Sequence, residues 1–137
     1  MKRFYIIMVL ILNLIMTSSA LPGCTTNTST TTDTGYEIRL APIHEVKISI
    51  AKSLPPQIIV NITGGLSDGC TTFDAIKTSR SGDTVVITVT TRHPRNTECP
   101  AIYGYFEQMV NLGSDFTGGK TYNLNVNDYT TTFEYPI

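Results

Sequence analysis

The side chains able to do chemistry in this chain are few: two histidines, three cysteines and a set of aspartates near turns. Nucleophilic hydrolysis needs a hydroxyl or thiol, a base within hydrogen-bond reach and donors for an oxyanion, all in one place. Ser67 or Ser114 with His93 and Asp68 supplies the residue types. No G-x-S-x-G or H-E-x-x-H frame holds them locally. They are read as solvent-exposed loop residues, and the chain is not expected to be an enzyme. Asp68, Asp74, Asp83, Asp115 and Asp128 offer the oxygen ligands that calcium takes in extracellular loops. Their spacing fits no EF-hand or repeat, and Asp forms turns in its own right. A thiolate metal site would need more ligands than His93 and one cysteine. No metal and no cofactor are expected.

The cysteines are more informative. Cys70 and Cys99 lack the close C-x-x-C spacing of a redox pair. In an oxidising compartment two cysteines of a small domain pair structurally. Closing a loop of about 30 residues stabilises by roughly 3–4 kcal/mol on the chain-entropy model. That leaves Cys24 over. Before it stand Lys2 and Arg3, the apolar run Phe4 to Met16, and the small residues Thr17 to Ala20. These are the three parts of a secretory signal. The run is broken by Asn13 and is shorter than the ~20 residues that span a bilayer.

Leu21-Pro22-Gly23-Cys24 resembles a bacterial lipobox, with Pro22 standing where Ala, Ser or Thr is usual. The resemblance implies cleavage before Cys24 and a diacylglycerol on its sulfur. The alternative is cleavage after Ala20, which leaves Cys24 as a free thiol. Residues 1–23 are accordingly assigned to a lipoprotein-type signal and residues 24–41 to a Thr-rich tether. Thr25 to Gly35 contains no hydrophobic residue and cannot join a core. The expected location is extracytoplasmic, with the protein anchored to a membrane through the lipid on Cys24.

Residues 42–137 must then form the domain. Val46, Ile48 and Ile50 alternate with Glu45, Lys47 and Ser49, the period of a half-buried strand. Leu54-Pro55-Pro56 interrupts, and Ile58, Val60 and Ile62 alternate again. Further strands are predicted around Phe73 to Thr78, Val85 to Thr90, Tyr103 to Val110, Tyr122 to Val126 and Tyr129 to Tyr135. Ser81-Gly82 and Asn127-Asp128 mark hairpin turns. In Tyr103 to Val110 the inner face is contested between Phe106, Gln108 and Val110 and the set Tyr103, Tyr105 and Met109. The expected fold is all-β, an antiparallel immunoglobulin-like sandwich of about seven strands.

The stretches Pro55 to Val60, Gly65 to Cys70, Tyr103 to Phe106 and Gly119 to Asn127 resemble small uncharacterised exported bacterial lipoproteins with such a domain. The resemblance carries fold and export and no activity. Thr34-Gly35-Tyr36, Gly64-Gly65 and Arg92-His93-Pro94 resemble the three loops of chagasin-type protease inhibitors only in part. No core strand precedes the first loop, and the Trp after the Arg-Pro pair is missing.

Removing Lys2 and Arg3 takes two positive charges from a formal net charge of −1, leaving the mature form near −3. No Lys/Arg cluster suits phosphates, so nucleic acid is not an expected partner. Asn123, Asn125 and Asn127, with Tyr103 or Tyr105, could form an amide-and-aromatic surface for a sugar. The function expected is that of a membrane-anchored module binding an envelope protein or glycan. Its surface would lie in the loops Gly64–Gly69, Arg92–Glu98 and Gly113–Gly119, through Asp68, Arg92, His93, Arg95 and Asp115. A loop-based protease inhibitor or a small hydrolase is the alternative.

Overall fold

In the computed structural model residues 35–137 are described. The signal assigned to residues 1–23, Cys24 and the tether up to residue 34 lie outside the described residues. The chain runs through β1 (Tyr36–Leu40), β2 (Ile43–Ala51), β3 (Gln57–Leu66), β4 (Thr72–Ser81), β5 (Thr84–Pro94), β6 (Gly104–Gly113), β7 (Thr121–Val126) and β8 (Tyr129–Glu134). One sheet has the order β2-β3-β6. In the other, β5 is flanked on one side by β4 and on the other by β7 and β1, and β8 adds to β7.

The alternation read in the sequence is what makes the core. Ile58, Val60 and Ile62 on β3 meet Val85, Ile87 and Val89 on β5 and Tyr122, Leu124 and Val126 on β7, all at most 1% exposed. Each aliphatic side chain so buried contributes about 1.5–3 kcal/mol. On β6 the contest resolves in favour of Phe106 and Val110, which pack on the core, while Tyr105 and Met109 face solvent. The prolines at 55 and 56 fall between β2 and β3, where no ladder needs their missing N–H.

The all-β sandwich expectation holds, with two differences. The described residues form eight strands, because Tyr36–Leu40, assigned above to the tether, is β1. It pairs antiparallel with the last part of β5, from Tyr36 opposite Pro94 to Leu40 opposite Thr90. Arg92, His93 and Pro94 therefore belong to a strand and not to a loop. The second difference is that β5 and β7 pair in parallel. A parallel pair needs a long crossover, which here passes through β6 in the other sheet.

Asn127 explains how β5 can have two partners along one edge. β7 pairs with β5 only as far as Ile87, and β1 takes over at Thr90. In the gap, the Asn127 amide accepts from the Val89 N–H at 2.9 Å and donates to the carbonyls of Val89 and Ala41 at 2.9 and 2.7 Å. The side chain stands in for a residue of strand. Its φ of 51° suits the hairpin turn, a conformation Asn tolerates better than most.

Candidate functional site

Two of the three expected binding loops meet at one end of the sandwich, where β3, β5 and β1 finish their inter-strand pairing. Leu66 closes β3, and the short loop Ser67 to Gly69 leads to Cys70, which is disulfide-bonded to Cys99. The disulfide ties this loop to the segment that follows β5. A second link lies beside it, from the Gly69 N–H to the Pro100 carbonyl at 2.9 Å.

Asp68 organises the loop. Its Oδ1 accepts from the Cys70 and Thr71 N–H groups at 2.9 and 2.8 Å and from the Thr71 hydroxyl at 3.0 Å. Its Oδ2 accepts from the Ser67 hydroxyl at 3.0 Å. Desolvation in the loop raises the Asp68 pKa, but these hydrogen bonds to the charged form outweigh it and hold the carboxyl at about 2. On the opposing strand, His93 brings Nε2 to 3.4 Å from the same Oδ2. Asp68 and His93 side chains are 22% and 23% exposed, half-buried yet within reach of solvent.

Ser67, Asp68 and His93, assembled only on paper in the sequence, thus do converge. Their order is wrong for a nucleophile and base. The Ser67 hydroxyl is bonded to Asp68 and lies 3.0 Å from the Thr71 hydroxyl, and no hydrogen bond joins it to His93. The carboxylate sits between the two, so a proton leaving Ser67 has no direct path to the imidazole. Ser114 lies past the far end of β6, away from this group.

Around His93 the end of the β1–β5 ladder forms an open depression of about 450 Å³ lined by Glu37, Arg39, His93, Pro94, Arg95 and Asn96. Arg39 donates to Glu37 at 2.6 Å, and that hydrogen bond holds the Glu37 carboxyl below its ordinary value. Arg92 lies on the outer face of the ladder, over the Tyr36 ring at 5.3 Å, and its Nε donates to the Thr72 hydroxyl. Of the five residues expected to bind, Asp68, Arg92, His93 and Arg95 share this end. Asp115 does not: it follows β6 at the opposite end, where its backbone carbonyl accepts from Arg80.

The sequence reading missed a neighbouring cluster. The ladder between β2 and β3 shifts register between Ile43 and Glu45, leaving His44 as the extra residue of a bulge. The bulge brings His44 Nε2 to 2.6 Å from the Tyr103 hydroxyl, with the Tyr105 ring 5.4 Å away. Gly65 makes the contact possible, since a Cβ there would overlap the Tyr103 hydroxyl. Tyr103 is 47% and Tyr105 67% exposed, so the cluster shows rings to solvent. The only hint in the sequence was the glycine pair, whose partners lie about forty residues further on. The sugar surface drawn from Asn123, Asn125 and Asn127 does not form with these rings. The asparagines belong to the β7 side of the other sheet, and Asn127 is spent on Val89 and Ala41.

Comparison with known proteins adds a family. A family model described as the ORF11 beta-sandwich domain matches residues 60–135, from within β3 to just past β8. The match takes in Asp68, both disulfide cysteines and His93. An uncharacterised 10.2 kDa protein in the HgiCIIM 5' region of Herpetosiphon aurantiacus is 38% identical over 86 residues, covering 63% of this chain and 90% of that protein. An uncharacterised 10.2 kDa protein in the HgiBIM 5' region of the same organism is 37% identical over 76 residues, 56% of this chain and 92% of that protein. No solved structure matches significantly.

Proposed function

We propose that this chain, which belongs to the ORF11 beta-sandwich domain family, is a non-enzymatic binding module anchored outside a cell membrane by a lipid on Cys24. The surface it presents is the tied end of the sandwich, and the partner is an envelope protein or glycan. One observation carries the reading: the disulfide and the Gly69–Pro100 hydrogen bond fix two segments side by side, with Asp68 ordering the first of them, next to the exposed Arg92 and Arg95. Loops held rigid by a β scaffold are good recognition surfaces because little entropy is lost on binding. The signal-like start and the lipobox-like Leu21 to Cys24 support the location. The hydrolase alternative is weaker, since Asp68 separates Ser67 from His93.

The test is photo-crosslinking in the cells that make the protein, with a benzophenone side chain placed in the full chain at Arg95 or at Asp115. Adducts of defined mass from position 95 and none from 115 are expected. Cys24→Ala should move the chain out of the membrane fraction and abolish the adducts. Crosslinking from 115 alone, from both positions equally, or from neither defeats the proposal, as does a Cys24→Ala chain that stays with the membrane.

A further inference from the structure

Beyond binding, the tied end brings together a set of donors that no catalytic arrangement uses. One carboxylate oxygen of Asp68, one ring nitrogen of His93 and the Cys99 sulfur lie within 4.8 Å of one another. In the sequence alone, His93 and one thiolate are too few ligands for a metal. The fold adds Asp68, and the disulfide brings Cys70 with Cys99, so that opening it would free two sulfurs at once. We propose that reduction of the Cys70–Cys99 disulfide converts this end into a tetrahedral site for zinc or a zinc-like divalent ion, held by Asp68, Cys70, His93 and Cys99.

The donor set is the one zinc takes: two thiolates, an imidazole and a carboxylate. One of the separations already fits. A tetrahedron with bonds of about 2.0–2.1 Å has an edge of roughly 3.3 Å, and Asp68 Oδ2 lies 3.4 Å from His93 Nε2. Once the S–S bond is gone both sulfurs can rotate about their own side-chain bonds, and the Cys99 sulfur starts within 4.8 Å of the other two donors. Asp68 is oriented in advance. Three hydrogen bonds fix Oδ1, and Oδ2 is left facing the imidazole with a single bond from Ser67. Such outer contacts around a ligand carboxylate are what give a metal site its geometry. The half-burial of these side chains leaves an ion a path in.

The chemistry balances with a phosphine as reductant. The phosphine takes oxygen from water and becomes its oxide, and two electrons and two protons pass to the disulfide, giving two thiols. Metal binding then forms two metal–sulfur bonds and releases both thiol protons. The two segments stay joined in either state, by sulfur to sulfur when oxidised and through the ion when reduced.

The experiment uses the full chain carrying Cys24→Ser, so that Cys70 and Cys99 are its only thiols. The oxidised and phosphine-reduced forms are each titrated with Co²⁺, then with Zn²⁺ in competition. The reduced form should bind one Co²⁺ per chain, with thiolate charge-transfer absorption and the intense visible bands of a tetrahedral ion. The oxidised form should show neither. Loss of an outer-shell partner costs a metal site about 10–100-fold in affinity, and His93→Ala, which removes a ligand, should cost at least as much. Melting of the oxidised His93→Ala chain at the parent temperature shows that the fold is intact. Equal binding by both redox forms, a weakly absorbing octahedral spectrum, or undiminished affinity in His93→Ala would overturn the proposal.

Discussion

The two ends of the sandwich are held by different physics. At the far end, opposite the disulfide, Phe116 packs edge-on to Tyr122 and Phe133 with centroids 5.0 and 5.3 Å apart. The Arg80 guanidinium covers Phe116 and Tyr122 at 4.5 and 5.0 Å. The polar tips of these rings are satisfied: Tyr122 Oη accepts from the Thr117 N–H, and Tyr135 Oη donates to the Pro56 carbonyl, both at 2.8 Å. That end is closed by buried aromatic area. The tied end has a smaller and half-buried counterpart, the Phe73 and Phe106 rings with centroids 5.5 Å apart. A disulfide, an organising carboxylate and a few main-chain bonds hold its loops, and its own tyrosines point outward. Area stabilises but leaves nothing to offer a ligand. Links stabilise while keeping side chains exposed, and this is why the Asp68, His93 and Cys99 donors gather at the tied end. The charges of the far end are instead paired with one another, Lys120 with Asp83 and Arg80 with Asp115.

The comparison breaks most visibly at Tyr122. Replacing this ring, 1% exposed, by Ala removes the centre of the plug and leaves a cavity. A loss of about 3–5 kcal/mol is expected, as for other large aromatic truncations, read as a lower urea midpoint at an unchanged slope. A loss no larger than that of a surface substitution would mean that the far end is not held by aromatic packing.

The tied end is tested by removing its staple. Cys70→Ala with Cys99→Ala opens a link spanning a sequence separation of 29 and should cost about 3–4 kcal/mol. Beyond that global loss there should be a local one. Amide exchange should speed up in residues 67–71 and 95–103 by more than the fall in global stability, whereas β7 and β8 should lose only the global amount. Uniform loosening at both ends would show that the disulfide acts on the whole unfolded chain and does not hold this end in particular.

The difference between the ends also marks what the sequence made legible. β3, β5 and β7 could be read directly, because their inward positions are apolar as far as Thr91 on β5 and the period of two has no competitor. β1 has the same period in Tyr36, Ile38 and Leu40, but only five residues of it next to a Thr-rich run without a hydrophobic residue. What makes it a strand is the free edge of β5 beyond Ile87, which no local pattern announces. Asn127 reads as a turn residue and is one; its work on Val89 depends on the gap between β7 and β1. Asp68 and His93 stand 25 residues apart, and only the disulfide and the β1–β5 extension bring them to 3.4 Å. Asp115 looked equivalent to Asp68 because both sit in polar loops, and the topology sends them to opposite ends. Alternation encodes the core, whereas the site is a consequence of which strand edges are left unpaired.

The smallest effect expected concerns Asp68 itself and separates its charge from its shape. In the folded protein its pKa is about 2, against an ordinary value of 3.8. A carboxyl that is more acidic when folded contributes stability that is fully present above the unfolded value and is lost as the pH falls through the folded one. At neutral pH, Asp68→Asn should therefore melt below the parent chain, since an amide accepts the Cys70 and Thr71 N–H bonds more weakly than a carboxylate does. The gap should start to close as the pH drops past 3.8 and should vanish below about 2, where the parent carboxyl is itself protonated. Melting curves of the two oxidised proteins at matched ionic strength measure this directly. A gap that stays constant over that range would mean that Asp68 holds its loop by fit alone. The tied end would then resemble the far end more closely than its hydrogen bonds indicate.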